Sequence, residues 1–300
     1  MTDSVKDSIN KIVGEENVRF DEPMKNHTTF KIGGPADVMA FVLNEGILAK
    51  LIKYLNDEGI DHFILGNGSN LLVNDDGYRG VMVVLAGEFD EISIEGCRIS
   101  AGAGAMLSAV ANKATKASLT GMEFASGIPG TVGGGIIMNA GAYDGEMKKV
   151  VEAVKILTSD GEIKTLSNEE MHFEYRNSAV KGTKDVVLGA TFTLAEGNAE
   201  EILAKCSDFA ARRRDKQPLE YPSAGSTFKR PEGYFAGKLI EDAGLGGYTN
   251  GGAQVSTKHK GFVINTGNAT AADVNGLIEH VQKTVYEKFG VSLETEVIRI

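Results

Sequence analysis

The segment Ser126 to Tyr143, SGIPGTVGGGIIMNAGAY, places Gly127, Gly130, Gly133, Gly134, Gly135 and Gly141 around a short apolar core. Each glycine in regular structure loses roughly 0.5 to 1 kcal/mol against alanine, so a chain that keeps this many is bringing backbone close to something. Amides bared in turns form concave nests that bind anions, phosphate oxygens above all, and Asn139 adds a group that both donates and accepts. The rival reading, glycines that fit tight turns and bulges, stays open on these residues alone. A second polar loop, Gly66, Asn67, Gly68, Ser69 and Asn70, follows the apolar run His62 to Leu65. The end of a strand is where open α/β sheets gather ligand contacts. Neither loop has the spacing GxGxxG or GxxxxGK, so Rossmann and Walker sites are not indicated. A third feature is the basic run RRRDKQP, Arg212 to Pro218, whose plainer reading, a solvated face or cations at a helix C-terminus, stands beside a functional one.

The elements that must position these loops follow from periodicity. Ile47, Leu48, Leu51, Ile52 and Leu55 predict a helix over 46–59 that stops at Gly59, and apolar runs at Val38 to Leu43, His62 to Leu65 and Val81 to Leu85 predict strands around it. EISIEGCRISAGAG and KILTSDGEIKTL read as hairpins turning at Glu95 and Gly96 and at Asp160 and Gly161, with a helix between them that buries Met106, Leu107, Val110 and Ala114. Asn198 and Glu201 have capping-box spacing ahead of a stripe of Ile202, Leu203, Cys206, Phe209 and Ala210. A last helix carries Val274, Leu277, Ile278, Val281 and Val285 and ends at Gly290, before an alternating strand LETEVIRI.

Composition narrows the function classes. A chain of 300 residues with 42% hydrophobic and 24% charged residues buries sizeable cores in two or three domains. Its net charge of −10 argues against broad attachment to nucleic acid or anionic membrane. No apolar run is long enough to span a bilayer and the N-terminus lacks a signal-peptide core, so the expected location is cytoplasmic; the oligomeric state is left open, with a monomer expected. Cys97 and Cys206 make no disulfide framework. The five histidines show no metal-ligand spacing, so no metal is expected.

Taken in order, TTFKIGGPA (28 to 36), GNGSNLL (66 to 72), SGIPGTVGGGIIMNAGAY, FEYRNS (173 to 178), PSAGSTFKRP (222 to 231), GGAQVSTKHKGFVIN (251 to 265) and LETEVIRI closely resemble the UDP-N-acetylenolpyruvoylglucosamine reductases, from about residue 20 to the C-terminus. The resemblance implies an α+β chain: a two-domain FAD-binding module of the vanillyl-alcohol-oxidase/PCMH type followed by an α+β substrate-binding domain. The corresponding divisions are 1–86, 87–197 and 198–300, with the C-terminal strand free to return to the first. It implies non-covalent FAD, NADPH as hydride donor, and UDP-N-acetylglucosamine enolpyruvate as substrate. FAD contacts would come from Gly66, Asn67, Gly68, Ser69, Asn70, Ser126, Gly127, Gly130, Thr131, Gly133, Gly134, Asn139, Gly141 and Ala142.

In such a reaction hydride passes from the flavin N5 to the vinyl carbon, and charge grows on the carbon beside the carboxylate. The resemblance gives Arg176 the role of carboxylate clamp, suited to a two-pronged guanidinium, and Ser226 that of proton donor. Glu296 would polarise the intermediate. On residues alone each has a plainer reading: Arg176 as an ion-pair partner of Glu174 or Asp185, Ser226 as a turn residue beside Gly225, Glu296 as a solvent-facing strand position. Lys216 matches a family lysine for the UDP moiety, and Arg213, Lys229 and Lys238 are further candidates. The longer class of the family covers its substrate with a Tyr-bearing loop. No Tyr occurs from Asn177 to Phe209 here, so the chain resembles the shorter class, with Tyr143 or Tyr175 as substitutes. Two alternatives remain: another flavin oxidase or dehydrogenase on the same scaffold, lacking Ser226 and Glu296 in their motifs, and a noncatalytic nucleotide-binding protein.

Overall fold

The computed structural model describes residues 1–300, which fold as two compact units. The first comprises 1–20, 38–66 and 80–212, the second 21–37, 67–79 and 213–300.

The first unit holds two larger sheets, two two-stranded ribbons and five helices. Helix α1 (Asp3–Val13) buries Ile9 and Val13. Helix α2 (Glu45–Asp57) starts where the Asn44 side chain accepts from Ile47 N at 2.9 Å, and it buries Leu48, Leu51, Ile52 and Leu55. Beside them lies a four-stranded sheet in the order Val18–Pro23, Pro35–Val42, Tyr78–Leu85, His62–Leu65, the last two paired parallel. The second sheet is antiparallel, in the order Ile163–Ser167, Val151–Leu157, Val186–Thr193, Arg98–Gly102, Ile92–Glu95, and contains both expected hairpins. Helices α3 (Leu107–Lys116) and α4 (Val132–Ile137) cover it. A single apolar cluster, from Ile9 to Leu194, joins all of these elements.

Helix α5 (Ala199–Lys216) begins as expected, with Asn198 Oδ1 accepting from Glu200 N at 2.9 Å and Glu201 N at 3.2 Å. Its stripe is narrower than expected, because Ile202 alone is buried and Leu203 is 59% exposed. The half-buried Cys206, Phe209 and Ala210 stand four, seven and eight positions after Ile202, one helical face, and Leu203 lies one step off it.

The second unit is an antiparallel sheet in the order Ser223–Ser226, Phe262–Asn265, Ala253–Val255, Thr249–Asn250, with helices α6 (Ala236–Asp242) and α7 (Ala271–Phe289). Helix α7 has a capping box between Thr270 and Asp273, buries the five predicted apolar positions, and ends at Gly290 in the left-handed region. The final segment corrects the expected strand. Only Ile298–Arg299 pairs regularly, parallel to Leu71–Leu72, although Leu293 and Val297 are buried as the alternation implied. The unit has its own core, from Phe30 to Val297.

Candidate active site

The glycine segment of the first unit is built around α4. Thr131 caps the helix, its Oγ1 accepting from Gly134 N at 3.4 Å. Val132 N donates to Ala105 O at 2.8 Å, Gly133 N to Ala103 O at 2.9 Å and Gly135 N to Thr131 O at 2.9 Å. These amides are therefore engaged inside the protein, which corrects the expectation of a bare nest at Gly133 to Gly135. The glycines serve close packing instead: a Cβ on Gly133 would lie 3.1 Å from Ala103 Cβ, and one on Gly135 would lie 2.9 Å from Leu107 Cδ1.

What remains open is a smaller surface. A Cβ on Gly66 would stand 2.6 Å from Thr131 Oγ1, so the end of strand His62–Leu65 lies against the α4 cap. Gly134 is exposed, and a Cβ there would meet nothing nearer than Thr131 Oγ1 at 3.7 Å. Gly66 and Gly134, both exposed beside the buried Thr131 hydroxyl, thus present backbone without side chains of their own, which fits the approach of a flat or anionic cofactor group. Gly130 borders it and accepts from Leu107 N at 3.0 Å. Gly141 and Ala142 pair with Gly145 and Glu146 in a short ribbon.

Asn139 is the centre of a polar lock. It is 1% exposed and has φ of 40°, its Nδ2 donates to Glu146 Oε2 and Glu174 O, both at 3.0 Å, and its Oδ1 accepts from Lys148 N at 2.9 Å. The bond to Glu174 fixes a tight hairpin in which Glu174 and Asn177 exchange backbone bonds at 3.1 and 3.2 Å. Ser178, buried beyond the turn, donates to Ile137 O at 2.9 Å. At the tip stands Arg176 with φ of 54°, its guanidinium 3.5 Å from Gly141 O and 5.0 Å from the centre of the Tyr175 ring. Left-handed backbone at a residue other than glycine, asparagine or aspartate is strained and persists only where its surroundings enforce it. Tyr143, also left-handed, stacks on Phe209 at 4.3 Å and donates to Phe209 O at 3.2 Å.

One supporting residue escaped the sequence reading. Glu123, 3% exposed, accepts from Thr120 Oγ1 at 2.6 Å and Gly121 N at 2.8 Å, and faces Lys205 Nζ at 3.5 Å. Its carbonyl holds the Ser126 hydroxyl at 2.7 Å, so it shapes the turn from Glu123 to Gly127 that opens the glycine segment. The Thr-x-x-Glu spacing of Thr120 and Glu123 was the available signal. Burial raises this carboxyl's pKa, but hydrogen bonds from Thr120, its own amide and Gly121, with the Lys205 charge, outweigh burial and hold it below the ordinary value. A pKa depressed by folding contributes stability that is complete above the unfolded value and is lost as pH falls through the folded one. Glu123→Gln is therefore expected to flatten the fall of melting temperature below about pH 4.3. Acid titrations that run parallel for wild type and variant would count against the lock.

In the second unit the other loop and the C-terminal segment converge on strand Ser223–Ser226. Gly68 has φ of 59°, and a Cβ there would meet His27 O at 2.1 Å, so the loop admits only glycine. Thr29, from TTFKIGG, donates through N to Gly68 O at 3.2 Å and through Oγ1 to Ser223 O at 2.7 Å. Asn70 Nδ2 donates to Glu296 O at 3.0 Å, and Glu296 N donates to Thr227 O at 2.9 Å. Thr227 is 1% exposed, its Oγ1 accepting from Val263 N at 3.0 Å. Ser226, at the end of its strand, and Glu296, in the C-terminal segment 70 positions on, are thus set on adjoining stretches of chain, and Thr227 and Asn70, one unremarked and one expected only at the cofactor, brace them.

The candidate cations differ in availability. Lys229 pairs with Glu294 at 2.9 Å and Lys238 with Asp242 at 2.7 Å. Lys216 is exposed at the end of α5, and Arg213 is half-buried. His259 accepts from Gly261 N at Nδ1, 3.2 Å. Burial first, then the charges of Lys260 and Lys216, lower its pKa, so it is neutral at physiological pH.

Comparison with known proteins bears on both units. A family model described as the C-terminal domain of UDP-N-acetylenolpyruvoylglucosamine reductase matches residues 217–300, and one described as an FAD binding domain matches 36–167. The UDP-N-acetylenolpyruvoylglucosamine reductase of Caldanaerobacter subterraneus is 56% identical over 99% of this chain and 98% of its own length. That of Clostridioides difficile is 50% identical over 95% and 94%. The crystal structure of the Thermus caldophilus reductase superposes with a TM-score of 0.81 at 36% identity, covering 92% of this chain and 97% of that one.

Proposed function

The chain belongs to the UDP-N-acetylenolpyruvoylglucosamine reductase family, and from that membership we propose how its residues divide the work. The enzyme reduces the enolpyruvyl ether of UDP-N-acetylglucosamine to the lactyl ether of UDP-N-acetylmuramate, with NADPH and FAD, in peptidoglycan precursor synthesis. Bound FAD supplies the means of carrying hydride from NADPH to the double bond. All other demands fall on protein groups.

Gly66 and Gly134 offer the bare backbone against which the cofactor rests, Thr131 stands between them, and the loop Asn67 to Asn70 supplies further cofactor contacts. Asn139 is assigned a positioning role, because its hydrogen-bonding capacity goes to Glu146, Glu174 and Lys148. Arg176 clamps the substrate carboxylate, where charge accumulates as the neighbouring carbon becomes a carbanion. Ser226 Oγ gives that carbon its proton, and a base so strong accepts it from a hydroxyl held in contact. Glu296 polarises the same centre. Lys216 meets the UDP phosphates, with Arg213 as a further candidate, whereas Lys229 and Lys238 would have to exchange a carboxylate for a phosphate.

The observation that carries this reading is the pairing of segment Ser226 to Lys229 with Glu294 to Glu296: Glu296 N bonds Thr227 O, Lys229 N bonds Glu294 O at 2.9 Å, and Phe228 bridges Thr295. No helix is long and apolar enough to cross a membrane. Purified protein is expected to oxidise NADPH beyond one equivalent per flavin only when the enolpyruvyl substrate is present, and to yield a product two hydrogens heavier. NADPH oxidation without that product would overturn the assignment.

A further inference from the structure

A cavity of about 620 Å³ opens in the second unit between Lys25, Lys31, Tyr221 and the loop 265–269. It involves none of the residues assigned to the reduction. Its volume lies in the range of small-molecule sites. In a chain of net charge −10 its lining contains two lysines and no carboxylate. Neither lysine is engaged in an ion pair.

Both walls are fixed by one buried side chain. Asn265, 6% exposed, donates through Nδ2 to Phe30 O at 3.1 Å, the residue before Lys31, and accepts through Oδ1 from Gly267 N at 2.9 Å and Ala269 N at 3.1 Å. The same amide therefore sets the turn that carries Lys31 and the loop that carries Asn268. Lys31 and Asn268 both have left-handed backbone, φ 58° and 59°, a conformation held by those bonds. Tyr221 turns an exposed ring, 44% accessible, to the opening. The adjoining N-terminus of α7 is closed to ligands, since Asp75 accepts from Ala271 N at 2.7 Å and Ala272 N at 3.0 Å. Charge on an entering ligand must then be met by the lysines and Asn268.

We propose that this cavity binds a diphosphate-bearing small molecule, with Lys25 and Lys31 neutralising the phosphates, Asn268 donating to them and Tyr221 flanking the remainder. Lysines are suited to phosphate as point charges, and an aromatic face accepts a planar base by stacking.

The test uses a reporter the chain makes possible, because it contains no tryptophan. Tyr221→Trp places a single indole at the cavity, and FAD-loaded protein is titrated with inorganic pyrophosphate in one arm and ADP in the other. A saturable emission change is expected with both. Tighter binding of ADP would identify a nucleotide as the natural source of the diphosphate, and equal binding a free diphosphate. Adding Lys25→Ala and Lys31→Ala is expected to weaken both at least about tenfold, with flavin content and turnover unchanged. No emission response, or a response that survives loss of both lysines, overturns the proposal.

Discussion

Ser226→Ala is expected to leave reduction of the bound flavin by NADPH intact and to slow its reoxidation by the enolpyruvyl substrate at least about a hundredfold, the usual contribution of a positioned acid. The two half-reactions separate because only the second needs a proton delivered to carbon. The fold gives the experiment a clean background. Local structure around Ser226 is held by the Thr227 hydroxyl, which accepts from Val263 N, and by backbone bonds from Thr227 N to Gly261 O and from Glu296 N to Thr227 O. None of these involves the Ser226 side chain, so the variant should melt with wild type. Stopped-flow mixing of flavin-reduced protein with substrate reads the rate directly. Unchanged reoxidation would remove Ser226 from its role and shift attention to Glu296 or to solvent as proton source.

What the sequence disclosed and what it hid divide along the range of the interactions. Helix α7 was readable from local signals, its apolar stripe and the stop at Gly290; the Thr270 and Asp273 cap at its start, just as local, went unread. The two expected hairpins were readable from equally local signals, whereas the α+β class came with the resemblance. Helix α4 was not readable, since its six residues include three glycines, poor helix formers that fold there because Ala103 and Ala105 supply carbonyls from the turn after strand Arg98–Gly102. The bracing of Glu296 depends on Asn70, 226 positions away, and no local pattern announces it. Motif order named the candidate residues; only the fold shows that Asn139 faces protein on all sides and that Glu296 is tied to the residue after Ser226.

Arg176 gives the second large effect, and its backbone allows function to be separated from folding. Arg176→Lys is expected to slow the substrate half-reaction by about 10² or more, because a guanidinium grips a carboxylate with two charge-assisted bonds, each worth roughly 1.5–3 kcal/mol, and an ammonium cannot reproduce that geometry. The substitution retains the left-handed strain at φ 54°, so strain cannot explain a loss. Arg176→Gly makes the converse comparison. Glycine adopts that backbone freely, relieving strain of the order of 1 kcal/mol, while its greater freedom in the unfolded chain offsets part of the gain. The hairpin itself is retained by Asn139 on Glu174 O and by Lys181 Nζ on Arg176 O at 2.8 Å, a backbone acceptor that survives the change. Arg176→Gly should thus melt within about 1 kcal/mol of wild type and still be the poorer enzyme of the two variants, with flavin reduction by NADPH preserved in both. A residue that merely supported the hairpin would lose stability and activity together. Loss of flavin binding in either variant would place Arg176 at the cofactor rather than at the substrate carboxylate.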